Sequence, residues 1–295
     1  MRHRYLCRRR RRDQVGKRNK VKTKLKYPKL LSEEMLLITP AGYDRLVKQY
    51  TERDLMRLER LKELGMLEAE DSEFELTDDG VAIIQIAGPI GHRLDAWDRY
   101  FGAVDVKDIE EELEAAEAEA DVILLDIDSP GGMVTGTPEL ADRIRACSKP
   151  VYAFTEGMMA SAAYWIGCAT ERVFATKSSD VGSIGVYIPF LDISKMLEEA
   201  GIEVQMFTSG KYKGMGMPGT SLTRDQAKLL QDRVMGTAEM FFEHVEETRG
   251  EVKRDAMQGQ VFRAEAALEE GLIDQVVEGR DEVIERIAPK ERRGA

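Results

Sequence analysis

An apolar run at residues 81–87, a charged helix-length stretch at 106–120 and a second apolar run at 122–127 follow one another along the chain. Short buried strands that alternate with amphipathic helices pack as a sheet covered by helices, which is the βαβ arrangement. The rhythm continues with a helical stretch at 138–147, a strand at 151–155 and a short helix of small residues after Ser161. Strands at 172–175, 184–188 and 204–208 are expected, with helices at 193–200 and 223–248 among them. Residues 264–277 read as helix, turn and strand, and a polar helix or frayed end follows Arg280. The expected fold is a wound α/β domain over 81–280, with 281–295 as a polar C-terminal tail.

Two different segments precede that domain. Thr39-Pro40 places an N-cap residue before a proline at the first helical position, so an amphipathic helix is expected to about Leu67. Residues 35–80 then form a helical appendage that ends at the turn composition Asp78-Asp79-Gly80. Residues 1–34 are a basic arm. Residues 1–26 hold thirteen Lys or Arg against one acid, Asp13, so that stretch carries +12 and the rest of the chain −23. Such an arm reads as a disordered tail, or as an upstream extension of the reading frame with Met35 as the start. Docking on nucleic acid through phosphate contacts is the other reading.

At 295 residues and 43% apolar content the chain is long enough to bury one large core. The three cysteines, Cys7, Cys147 and Cys168, are too far apart for a zinc knuckle or a disulfide framework. No apolar run approaches the roughly 20 residues that cross a bilayer, and no apolar region follows the N-terminal arginines as a secretory signal requires. The expectation is a protein without a membrane anchor that stays in the cytoplasm, with no metal and no cofactor.

Four stretches carry residues suited to chemistry. Asp128-Ser129-Pro130-Gly131-Gly132 follows an apolar strand, where two glycines allow a sharp turn and outward N–H groups that suit an oxyanion. The same string is also simply a turn. Ser161, in Gly157-Met158-Met159-Ala160-Ser161-Ala162-Ala163, stands at a strand-to-helix elbow where free N–H groups favour negative charge, or else it is an ordinary N-cap. Its base is not an obvious histidine: His3 lies in the arm, His244 in a charged helix, and His92 in a loop that alone of the three can approach a cleft. A lysine serves instead if burial brings its pKa from about 10.4 toward neutrality. Lys211 and Lys213 offer themselves in the loop Ser209-Gly210-Lys211-Tyr212-Lys213-Gly214, where solvated lysines are equally natural.

Taken in order, Asp128-Ser-Pro-Gly-Gly, Met159-Ala-Ser161-Ala-Ala-Tyr, Asp180-Val-Gly-Ser183-Ile-Gly-Val and Ser209-Gly-Lys-Tyr-Lys213-Gly resemble the S49 serine peptidases, the signal peptide peptidase A family, over about 81–280. Gln260-Val-Phe-Arg-Ala-Glu-Ala and Gly271-Leu-Ile-Asp-Gln-Val resemble that family's closing segment. The resemblance implies a ClpP/crotonase-like wound fold, Ser161 as nucleophile and Lys213 as general base, with Lys211 at a variable place. It implies further that Gly132 and Ala162 give the oxyanion donors, that Gly131 supports them, and that the Ser183 hydroxyl helps hold the lysine. Ser183 is also explained by a tight turn. Without an anchor the chain looks less like the membrane-bound signal-peptide-degrading type than like the phage and prophage branch, whose members process capsid or scaffold proteins. The partners implied are a polypeptide substrate, further copies of the chain in an oligomer, and capsid or portal proteins at proheads. Two other classes stay open: crotonase-like acyl-CoA chemistry, which needs no serine and lysine pair, and a non-catalytic assembly or scaffold protein. Met215 and Met217 read equally as core filler and as a binding lip.

Overall fold

The computed structural model describes residues 36–38, 74–250 and 252–289. The expected basic arm at 1–34 and the expected helix at 39–67 lie outside the described residues. In chain order the elements are β1 (Leu36–Ile38), β2 (Glu75–Leu76), β3 (Val81–Ala87), β4 (Ile90–Gly91), α1 (Ala96–Tyr100), β5 (Val104–Asp105), α2 (Val106–Glu119) and β6 (Val122–Asp128). They continue as β7 (Gly131–Met133), α3 (Thr137–Arg145), β8 (Val151–Thr155), β9 (Met158–Ala160), α4 (Ala162–Gly167), β10 (Arg172–Thr176) and β11 (Asp180–Gly182). The last are α5 (Ser194–Glu199), α6 (Arg224–Arg249), β12 (Val261–Arg263), α7 (Ala264–Glu269), β13 (Gln275–Val277) and α8 (Arg280–Ile287).

The main sheet has the order β13-β10-β8-β6-β3-β2, parallel throughout except for β2 at its edge. A parallel sheet is covered on both faces, so its strands read as continuous apolar runs. Alternation along β3 divides those runs between two cores. Ala82, Ile84 and Ile86 face α2, α3, α4 and α6, whereas Val81 and Ile83 face Val283 of α8. Helix α2 begins where the Asp105 carboxylate accepts the Lys107 N–H at 3.0 Å, and α6 begins with a reciprocal capping box between Thr223 and Gln226.

Two smaller sheets stand at the C-terminal ends of the main strands. One has the order β1-β7-β4-β5 and the other β12-β11-β9. Their strands are two or three residues long, too short for a period-two pattern to reveal, and the sequence reading passes over them.

Two expected strands are corrected. Residues 184–188 form no ladder strand, because Ser183 takes a φ of 54° and turns the chain out of line just after β11. The pairing occurs earlier, at β11 itself. Residues 204–208 also form no strand; Phe207 is 94% exposed, and among the described residues no strand lies beside them to complete a ladder.

Candidate active site

Ser161 joins β9 to α4 with φ 59° and ψ −118°, a conformation that a residue bearing a Cβ adopts only when its surroundings force it. Its N–H donates to the Gly182 carbonyl at 2.7 Å, and its own carbonyl accepts the Trp165 N–H at 2.9 Å, which closes the first turn of α4. The hydroxyl makes no capping bond, so the ordinary N-cap role does not apply. Ala162 is the first helical residue, and an N–H at that position has no acceptor within its helix. Every residue of α4 is buried. The Trp165 ring stacks on Phe241 of α6 with centroids 4.3 Å apart, and the Tyr164 hydroxyl donates to the Leu272 carbonyl at 2.8 Å.

The glycine loop is stitched to this elbow from the other side. Ser129 N–H donates to the Met158 carbonyl at 2.7 Å, and Ala160 N–H donates to the Ser129 carbonyl at 3.2 Å. The Asp128 carboxylate accepts the Met158 N–H at 3.0 Å, while the Ser129 hydroxyl accepts the Gly131 N–H at 3.2 Å. Gly131 has a φ of 93°. At Gly132 a Cβ would stand 1.8 Å from the Ile90 carbonyl oxygen, so only glycine lets β7 lie this close to β4. Gly131, Gly132 and Ala162 thus belong to neighbouring pieces of one construction around Ser161. Ser183 is buried next to Gly182, and its N–H donates to the Gln260 carbonyl at 2.6 Å.

The lysines differ. Lys211 pairs with Asp225 at 3.1 Å and lies 4.7 Å over the Tyr212 ring; hydrogen bonding to Tyr212, then to Asp225, holds its pKa above the usual lysine range. Lys213 is exposed in the turn that follows, with its N–H on the Gly210 carbonyl at 3.0 Å. Among the described residues no hydrogen bond joins its side chain to Ser161. Met217 is 50% exposed and is not core filler.

Two histidines lie among the described residues. His92 Nδ1 is buried against Gly136 at the start of α3, and a Cβ on that glycine would come within 2.9 Å of it. His244 packs 5.9 Å from the Trp165 ring, and burial lowers its pKa. A cleft of about 550 Å³ opens by the ends of the main strands, lined by Asp126, Asp128, Glu156 and Glu278 among others, and does not include Ser161. Sequence reasoning missed Asp128, Ser129 and Gly182 as the residues that fasten the elbow. The first two stood in the glycine motif, but which backbone group each would meet is a matter of tertiary register.

Against known proteins, residues 143–292 match the family model described as peptidase family S49. Capsid assembly protease C of Escherichia phage lambda is 32% identical over 212 residues, covering 69% of this chain and 48% of its own. Head-tail preconnector protein GP5 of Enterobacteria phage P21 is 31% identical over 211 residues, covering 69% of this chain and 42% of its own. The chain therefore spans about half the length of the curated relatives it matches. Among solved structures, a ClpP1 mutant from Listeria monocytogenes overlays with a TM-score of 0.46 at 16% identity, over 69% of this chain and 94% of that one.

Proposed function

The chain belongs to peptidase family S49, and from that premise we propose that it is a serine endopeptidase with Ser161 as nucleophile and Lys213 as general base. The observation that carries the reading is the Ser161 elbow: a strained serine whose hydroxyl is not spent on its helix, held beside two glycines of an adjoining strand. In the reaction the neutral Lys213 amine takes the hydroxyl proton as Ser161 Oγ bonds to the peptide carbonyl carbon. Gly132 and Ala162 N–H groups hold the oxyanion. Collapse breaks the C–N bond as the Lys213 ammonium gives its proton to the leaving amine, and water, activated by the Lys213 amine so restored, hydrolyses the ester. Lys211, paired with Asp225 and held protonated, is not fitted to be the base.

An exposed Lys213 needs a partner surface to become dry. It lies on a segment that also presents Leu191, 81% exposed, and Phe207, 94% exposed. A second copy of the chain laid over that segment buries the apolar side chains and brings Lys213 of one subunit to Ser161 of the next. The substrates proposed are phage capsid, scaffold or portal polypeptides, since a relative is a capsid assembly protease, and the site of action is the prohead. Among the described residues no helix is long and apolar enough to cross a membrane.

The test is a fluorophosphonate probe with the wild-type chain, Ser161→Ala and Lys213→Met. Label on Ser161 in the wild type is expected, and hydrolysis of a peptide substrate is expected to fall at least about 10³-fold in each variant, with melting temperatures unchanged. An amine base works only when deprotonated, so kcat/KM should rise toward alkaline pH. Normal hydrolysis by Lys213→Met removes the lysine from the mechanism.

A further inference from the structure

β7 carries both glycines of the proposed oxyanion site, and its two edges are occupied by different partners. One edge pairs with β4 in parallel, with Ile90 opposite Gly132. The other pairs with β1 in antiparallel register: Leu36 opposite Met133, Leu37 opposite Gly132 and Ile38 opposite Gly131. Among the described residues β1 has no other strand neighbour and is the outer strand of this sheet.

A peptide attacked by Ser161 with its carbonyl oxygen at Gly132 must run along β7, and extended peptides bind such an edge by adding a strand. The β4 edge belongs to the scaffold. The remaining edge is the one on which Leu36–Ile38 lies. We propose that Leu36–Ile38 occupies, within its own chain, the strand position of the peptide substrate along β7, so that a substrate must displace it. The assignment of that strand position to substrate rests on the peptidase reading; the β1–β7 pairing does not.

The occupant is an extended strand of sequence Leu-Leu-Ile, so the ligand class is an extended peptide and an apolar one is the first to try. Being tethered, it competes at an effective concentration on the order of millimolar, enough to shut out dilute bystander polypeptides. With only three residue pairs, the hold is weak enough for a concentrated substrate in an assembly to replace it. A peptidase closed in this way stays quiet until its substrate is packed around it.

The test uses the full chain with Leu36→Pro and Leu37→Pro together. Successive N–H groups point to opposite edges of a strand, so one of the two prolines removes a ladder donor whichever way β1 is phased. Amide hydrogen exchange over Gly131–Met133 is expected to quicken about tenfold. kcat/KM for an apolar peptide is expected to rise about tenfold, as for a site nine-tenths filled by its own chain. A synthetic peptide of residues 34–40 should slow both again. Unchanged exchange in a variant that melts like the wild type overturns the pairing, and faster exchange without a gain in kcat/KM overturns the competition. Should the variant not fold, the same peptide added to the wild type decides: competitive inhibition upholds the proposal, and none at about millimolar concentration overturns it. If wild type and variant both fail to hydrolyse peptides and take no fluorophosphonate at Ser161, the peptidase reading has failed. The exchange measurement still decides then whether β1 covers β7.

Discussion

Ser161 holds a backbone conformation, φ 59° with ψ −118°, that glycine would adopt without strain. The protein tolerates it because the Gly182 carbonyl accepts its N–H and the Trp165 N–H donates to its carbonyl, which fixes the peptide on both sides. Stability has been given up for the position of one hydroxyl. Ser161→Gly is therefore expected to be more stable than Ser161→Ala by about 1 kcal/mol, while both are inactive. Urea denaturation of the two variants side by side checks this, and equal midpoints would mean the elbow is unstrained. Neighbouring lysines show the limit of reading residues singly. Lys211 and Lys213 sit two positions apart in a glycine-rich loop and have the same intrinsic chemistry. Only the placement of Asp225, at the start of α6, neutralises one and leaves the other.

Among the elements, α4 is buried all round although it is only six residues long. An isolated helix of that length is not stable in water, so its order comes from packing. The Trp165–Phe241 stack is the main tie to α6, and the Tyr164 hydroxyl ties it to the chain beyond α7. Trp165→Ala removes the stack and leaves a cavity behind Ser161, the proposed nucleophile. A loss of about 3–5 kcal/mol is expected in urea unfolding, with a lower kcat because the elbow loses its support. A variant with wild-type stability would show that α4 is held by its backbone alone. The long elements were legible for the same physical reason that makes them long. β3 lies at the expected residues 81–87, and α2, α3 and α6 lie within about two residues of their expected bounds, since each repeats its burial pattern over several turns or pleats. β7, β9 and β11 were not legible, because a strand of three residues has no period to show.

On the scale of the molecule, the body of the chain is a covered parallel sheet with the candidate site at one end, and the base proposed for that site lies exposed. If one subunit supplies Ser161 and the next supplies Lys213, an equal mixture of Ser161→Ala and Lys213→Met chains, unfolded and refolded together, should regain about a quarter of wild-type activity. Each variant alone stays inactive, and a mixture that also stays inactive places both residues in one chain. Sedimentation of the wild type should show an oligomer, and Phe207→Glu should shift it toward monomer with loss of activity. The sequence by itself determined the wound α/β class, the order of its long elements and the four motifs, because apolar periodicity and glycine, proline and serine chemistry act over a few neighbouring residues. Only the tertiary structure decided that Ser161 is forced into a left-handed elbow, that Asp128 and Ser129 fasten the glycine loop to it, and that Leu36–Ile38 lies along β7. Those depend on contacts between residues far apart in the chain, and no local pattern encodes which backbone groups will meet.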